Sequence, residues 1–107
     1  MEFLINNYIW KVDFIEPNNI VFLRPDNTMT VGVTDNYEKT IYISNCLKGR
    51  FLYKVIYHEL CHAFIFSFGI EIEEEQEEKL VQMLTEYSKD ISNIADKIYD
   101  SLKKIAI

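Results

Sequence analysis

Two histidines and a glutamate stand at the spacing that binds and uses a metal ion: His58-Glu59-Leu60-Cys61-His62, an HExxH. They are the only histidines in the chain. On an α-helix, residues i and i+4 lie one above the other, so two imidazoles at this spacing can hold one ion between them. Glu59 sits about 100° round the helix from His58, outside the ligand pair but within reach of a water on the ion. Zinc held by two imidazoles, with a glutamate as general base, is the chemistry of peptide-bond hydrolysis. The plainer reading is a pair of half-buried polar residues on a packing face. Against it stand the apolar helical surroundings, the use of both histidines in one motif and the sheet-forming segment upstream.

A catalytic zinc takes three protein ligands and keeps one position for water. With no further histidine in the chain, the third ligand must be a carboxylate or a thiolate. Glu71, Glu73, Glu74, Glu75, Glu77 and Glu78 crowd the segment after the motif. Most of them suit a solvated first turn, where negative charge meets the positive end of a helix dipole. Periodicity singles out Glu77, which precedes Leu80, Val81 and Leu84 by three, four and seven residues and so shares their inward face. Glu78, three before Val81, is the fallback. Glu74 and Glu75 lie one turn earlier among acidic neighbours and are weaker. Cys61, inside the motif's own turn, reads as core rather than ligand.

The elements that must position these groups follow from patterning. Residues 8–15 alternate, with Tyr8, Trp10, Val12 and Phe14 on one side, and end at the turn signal Glu16-Pro17-Asn18-Asn19. After the short apolar run Ile20-Val21-Phe22-Leu23, residues 29–33 alternate again, and residues 40–44 form a further strand with Ile41 and Ile43 inward. Short connections predict antiparallel pairing, a meander over residues 1–47. A helix over 48–68 buries Phe51, Leu52, Val55, Ile56, Ala63 and Phe64, with Gly69 as its C-terminal cap. The spacing of Leu80, Leu84, Tyr87, Ile91, Ile94, Ile98 and Leu102 predicts one amphipathic helix over 73–105, or two with a break near 88–93. The expected class is α+β in one domain, residues 1–107: a small, mostly antiparallel sheet of three or four strands packed on the motif helix and a long C-terminal helix. The stripe over 80–105 is expected to pack on the motif helix, giving a monomer, with a dimer seam as the alternative.

A net charge of −6 excludes a basic nucleic-acid-binding face. No stretch reaches the length of a membrane span, and the N-terminus lacks a basic segment and a long apolar core, so the cytosol is the expected compartment. Two cysteines, Cys46 and Cys61, do not make a disulfide framework.

The run Val55-Ile56-Tyr57-His58-Glu59-Leu60-Cys61-His62-Ala63-Phe64, followed by Phe66-Ser67-Phe68-Gly69-Ile70 and Glu75-Gln76-Glu77-Glu78-Lys79-Leu80-Val81, resembles small phage and prophage metallopeptidases of the gluzincin type. These are loosely related to the ImmA/IrrE-like and SprT-like peptidases. The segments Val31-Gly32-Val33-Thr34-Asp35 and Ile41-Tyr42-Ile43-Ser44 resemble the strands that precede the motif in such proteins. The resemblance implies a zincin-like core, a Zn²⁺ cofactor and a peptide or protein substrate. It also implies that the first glutamate of the EE pair, Glu77, is the third ligand. Glu59 would take the proton from the attacking water and deliver it to the leaving amine. Tyr57 or Tyr87 is the candidate for stabilising the oxyanion, since no further histidine exists. An extended substrate would pair with residues 40–44 or their neighbours at 29–34. The other class of function is a catalytically inactive, zincin-shaped module that holds a partner protein, which the small size and the missing oxyanion partner favour. A purely structural zinc is disfavoured by an intact Glu59.

Overall fold

In a computed structural model, the chain is described over residues 1–105, with side chains through Lys103. Asn6 and Asn7 both take positive φ, 47° and 70°. Asparagine tolerates the left-handed region, and two such residues in succession make the tight turn whose twist matches a β-hairpin. That turn joins β1 (Glu2–Ile5) to β2 (Tyr8–Ile15), which pair antiparallel with Phe3 opposite Trp10. The reading from sequence missed β1, although the Asn-Asn turn was there to signal it. Trp10 is fully buried, while Tyr8 and Phe14, expected on the same inward face, are about half exposed.

Residues 16–31 cross the end of the sheet and include a single 3-10 turn, Ile20–Phe22, capped by the Asn19 side chain accepting from the Val21 N–H. The chain then lays down β3 (Gly32–Asp35) and returns through β4 (Thr40–Ser44). Met29, expected to open the strand, instead bridges to Leu23. The strand order is β1-β2-β4-β3, with β4 antiparallel to β3 but parallel to β2. The expected meander is therefore corrected at its centre, although two of the three pairings are antiparallel. The crossing segment carries β3 past the position beside β2, and β4 fills that gap as it comes back.

The helix α1 (Gly49–Ser67) packs its Val55 and Ala63 against Ile5, Trp10, Ile41 and Ile43, which form the core. The indole N–H of Trp10 donates to the buried Ser67 hydroxyl at 2.7 Å, and the Asn6 amide donates to the Ser67 carbonyl at 2.9 Å. Phe51 and Phe64, expected inside, are 57% and 50% exposed. The helix ends as the sequence predicts. Gly69 takes φ 63°, its N–H reaches the Phe66 carbonyl and that of Ile70 the Ile65 carbonyl, a Schellman cap.

The second helix, α2 (Glu74–Ile105), runs unbroken. Its first turns pack on α1 through fully buried Val81, and Lys54 pairs with Glu86 at 3.2 Å. Beyond that the expected packing on α1 is corrected: Tyr87, Ile91, Ile94, Ile98 and Leu102 are each more than half exposed, and the Ile105 side chain lies outside the described residues. The helix is longer than α1 and overshoots it. This accounts for a long axis of 59 Å and a radius of gyration of 16.9 Å, where a compact chain of this length gives about 13 Å. Among the described residues, no helix is long and apolar enough to cross a membrane.

Candidate metal centre

His58, Glu59 and His62 leave α1 on the side facing the edge strand β3 and the start of α2. His62 is mostly buried and His58 about a third exposed. Their Nε2 atoms lie 3.3 Å apart. Facing both is Glu78, with Oε1 3.1 Å from His62 Nε2 and Oε2 3.5 Å from His58 Nε2. One ligand atom from each of the three residues lies within 4.8 Å of the others. A tetrahedral ion with bonds of about 2.0–2.1 Å separates its ligand atoms by about 3.3 Å. The spacing of two imidazole nitrogens and a carboxylate thus suits a small divalent cation.

Glu77 takes a different place. Its Oε2 lies 2.5 Å from His62 Nδ1, the far side of the ring from the cluster. A neutral imidazole that donates Nδ1–H to a carboxylate keeps its Nε2 lone pair free to bind a metal, and the carboxylate makes that nitrogen more basic. Periodicity turns Glu77 inward, and the structure sets it on the Nδ1 side of His62 while Glu78 lies on the Nε2 side. The fallback, Glu78, is the carboxylate that completes the three-residue group, and Glu77 stands against the other nitrogen of the His62 ring.

Glu59 is 8% exposed, and the Thr34 hydroxyl on β3 lies 2.8 Å from its Oε1 and 3.0 Å from its main-chain oxygen. Burial pushes the Glu59 carboxyl above its usual range, against the pull of the Thr34 hydrogen bond and of the two histidines. A raised pKa suits a carboxylate that must accept a proton and later release it. Gly32 makes the close approach of β3 to this helix possible. A Cβ there would meet Val55 Cγ1 at 2.9 Å, Glu59 Cγ at 3.0 Å and Glu59 Oε2 at 3.1 Å. Neither Thr34 nor Gly32 was singled out as a site residue from sequence, because no spacing rule links a strand residue to a helix residue 25 positions later.

The group opens into a cleft of about 920 Å³ whose lining includes Arg24, Thr34, His58, Glu59, His62 and Glu78. Tyr57 and Tyr87, the tyrosines expected at the oxyanion, are not part of that lining. Tyr57 faces an apolar groove between the helices, and Tyr87 is 56% exposed. Cys61, expected in the core, is only partly buried and lines the same apolar groove, where partial burial raises its thiol pKa. β4 is paired on both sides and offers no free edge to a peptide, whereas β3 is an edge strand and touches Glu59. No family model, curated protein or solved structure matches the chain.

Proposed function

We propose that this chain is a zinc-dependent peptidase. The observation that carries the reading is the convergence of His58, His62 and Glu78 beside a buried Glu59 that takes no part in the group. Two imidazoles and one carboxylate are a donor set that would hold zinc and leave room for water or substrate on it. Zinc, when bound, supplies Lewis acidity, lowering the pKa of its water and polarising a carbonyl. The protein's own residues do the rest. Glu77 holds His62 in the tautomer that presents Nε2. Thr34 ties down Glu59 Oε1, which aims the carboxylate and leaves Oε2 to take a proton from the attacking water and pass it to the leaving amine nitrogen. The free edge of β3 runs beside this carboxylate and offers main-chain hydrogen bonds to an extended peptide.

The test is metal analysis of the purified protein alongside cleavage of a peptide mixture. One zinc per chain is expected, lost in His58→Ala and Glu78→Ala and held roughly 10–100-fold more weakly in Glu77→Gln. Glu59→Gln should keep the metal and lose cleavage. No metal after zinc loading would refute the centre. Cleavage that persists undiminished in Glu59→Gln would refute the mechanism, and metal without any cleavage would point instead to a module that only binds its partner.

A further inference from the structure

The overhanging half of α2 carries an apolar surface that the metal centre does not use. Leu80, Leu84, Tyr87, Ile91, Ile94 and Ile98 succeed one another at intervals of four and three, the seam of a coiled coil with Leu84, Ile91 and Ile98 at the a positions. The last pairings that the described residues make between the two helices are Lys54 with Glu86 and Lys89 over the Tyr53 ring. From Asp90 onward the helix projects over about 24 Å. Beside its root, Tyr57, Phe64, Phe68, Leu80 and Leu84 line an apolar groove of about 460 Å³ between α1 and α2. Phe64 and Phe68 stack on its rim and are half exposed. Overhang and groove form one continuous strip through Leu84 and Tyr87.

We propose that two copies of this chain associate through their α2 overhangs, side by side and antiparallel, with the tip of each overhang seated in the α1–α2 groove of the other. With Ile91 facing the partner's Ile94, the same register sets Ile98 against the partner's Tyr87. It also brings Leu102 to the level of the partner's Leu80 and Leu84, where the groove lies. The charges flanking the seam choose the direction. Antiparallel pairing brings Asp90 opposite the partner's Lys97, and symmetry makes that pair twice. Parallel pairing would set Asp90 beside Ala95 and Lys97 beside Leu102 instead, with no opposite charge to meet.

The extent of the strip also fits. At about 100 Å² for each half-exposed large side chain, Phe64, Phe68, Tyr87, Ile91, Ile94, Ile98 and Leu102 present about 700 Å² per copy, and Leu80, 36% exposed, adds to this, within the range of a stable interface. A membrane surface is the poorer occupant. Lys97, Lys103 and Lys104 in the sequence from Asp90 to Ile105 are balanced by Asp90, Asp96 and Asp100, whereas a helix lying on anionic lipid has a basic polar face.

Sedimentation equilibrium of the full chain between about 1 and 100 µM tests this, since interfaces of this size hold together in that range. The wild type should fit a dimer. Ile94→Glu places a carboxylate against the partner's Ile91 and should weaken association by about 100-fold or more, with helical circular dichroism unchanged because the residue is exposed in the single chain. Asp90→Lys should weaken the dimer several-fold by setting lysines against the partner's Lys97, and adding Lys97→Asp should restore it. A wild type that stays monomeric at the highest concentration would overturn the proposal. So would a dimer indifferent to Ile94→Glu, or a double variant no stronger than Asp90→Lys alone, which would exclude the antiparallel register.

Discussion

Gly32→Ala asks for a single methyl group where β3 crosses the motif helix. The backbone there is ordinary extended strand, so the substitution meets no conformational penalty and tightens the unfolded chain, worth about 0.4–1 kcal/mol in its favour. Against that, the new carbon would lie 2.9–3.1 Å from Val55 Cγ1 and from Glu59 Cγ and Oε2. Comfortable carbon contacts need about 3.5–4.0 Å, and overpacking on this scale costs about 1–3 kcal/mol. The net destabilisation is about 1–2 kcal/mol, which for a domain of this size lowers the melting temperature by roughly 5–15 °C. Two of the three crowded atoms belong to Glu59, so the strain is relieved by moving the base. A shift of about 1 Å in a reacting group costs about 100-fold in turnover. His58, His62 and Glu78 are not among the crowded atoms, and zinc affinity should stay within a few-fold of wild type. Thermal melts, zinc titration and peptide cleavage on the same preparation separate the three effects. Gly69→Ala is the control: it imposes a left-handed alanine in open space, at about 1 kcal/mol, at a residue that does not line the cleft. A Gly32→Ala protein that melts and cleaves like wild type would show that β3 does not press on Glu59.

Three further outcomes follow from the geometry. Burial disfavours the charged form of Glu59, so its folded pKa exceeds its unfolded one, and stability is lost as pH rises through the interval between them. Metal-free Glu59→Gln should therefore melt above metal-free wild type at neutral pH, with the gap closing on acidification towards the ordinary carboxylate range; a constant gap would refute this. Ser67→Ala leaves the buried indole N–H of Trp10 without a partner, and chemical denaturation should show a loss of about 1–3 kcal/mol. Zinc at about 100 times its dissociation constant should stabilise the fold by about 2.7 kcal/mol, reversed by a chelator and absent in Glu78→Ala.

The parts of this molecule legible in its sequence are those set by neighbours along the chain. The 3.6-residue period placed His58 and His62 on one face, and the apolar run ended at Gly69 as a Schellman cap requires. What the period could not decide was Glu77 against Glu78. Both can turn inward, and the choice is between the two nitrogens of one imidazole ring, a distinction finer than any helical stripe. The parallel pairing of β2 with β4 escaped for a different reason. It depends on where residues 16–31 deliver the chain, and no local pattern encodes that route. Thr34 is the same case in miniature: a threonine in a strand whose importance comes from a helix formed much later.

The link between the helices sets a phase. Residues 68–73 fix where α2 begins its winding, so lengthening them by one residue, with the helix seat unchanged, moves every side chain one place along. Glu77 would then enter the position of Glu78, Gln76 that of Glu77, and Leu80 that of buried Val81. The group would keep a carboxylate and the core an aliphatic side chain. Shortening the link by one residue instead carries Lys79 into the position of Glu78, and a cation would face the two imidazoles. Tandem glutamates make the centre tolerant of drift in one direction along the chain and defenceless in the other.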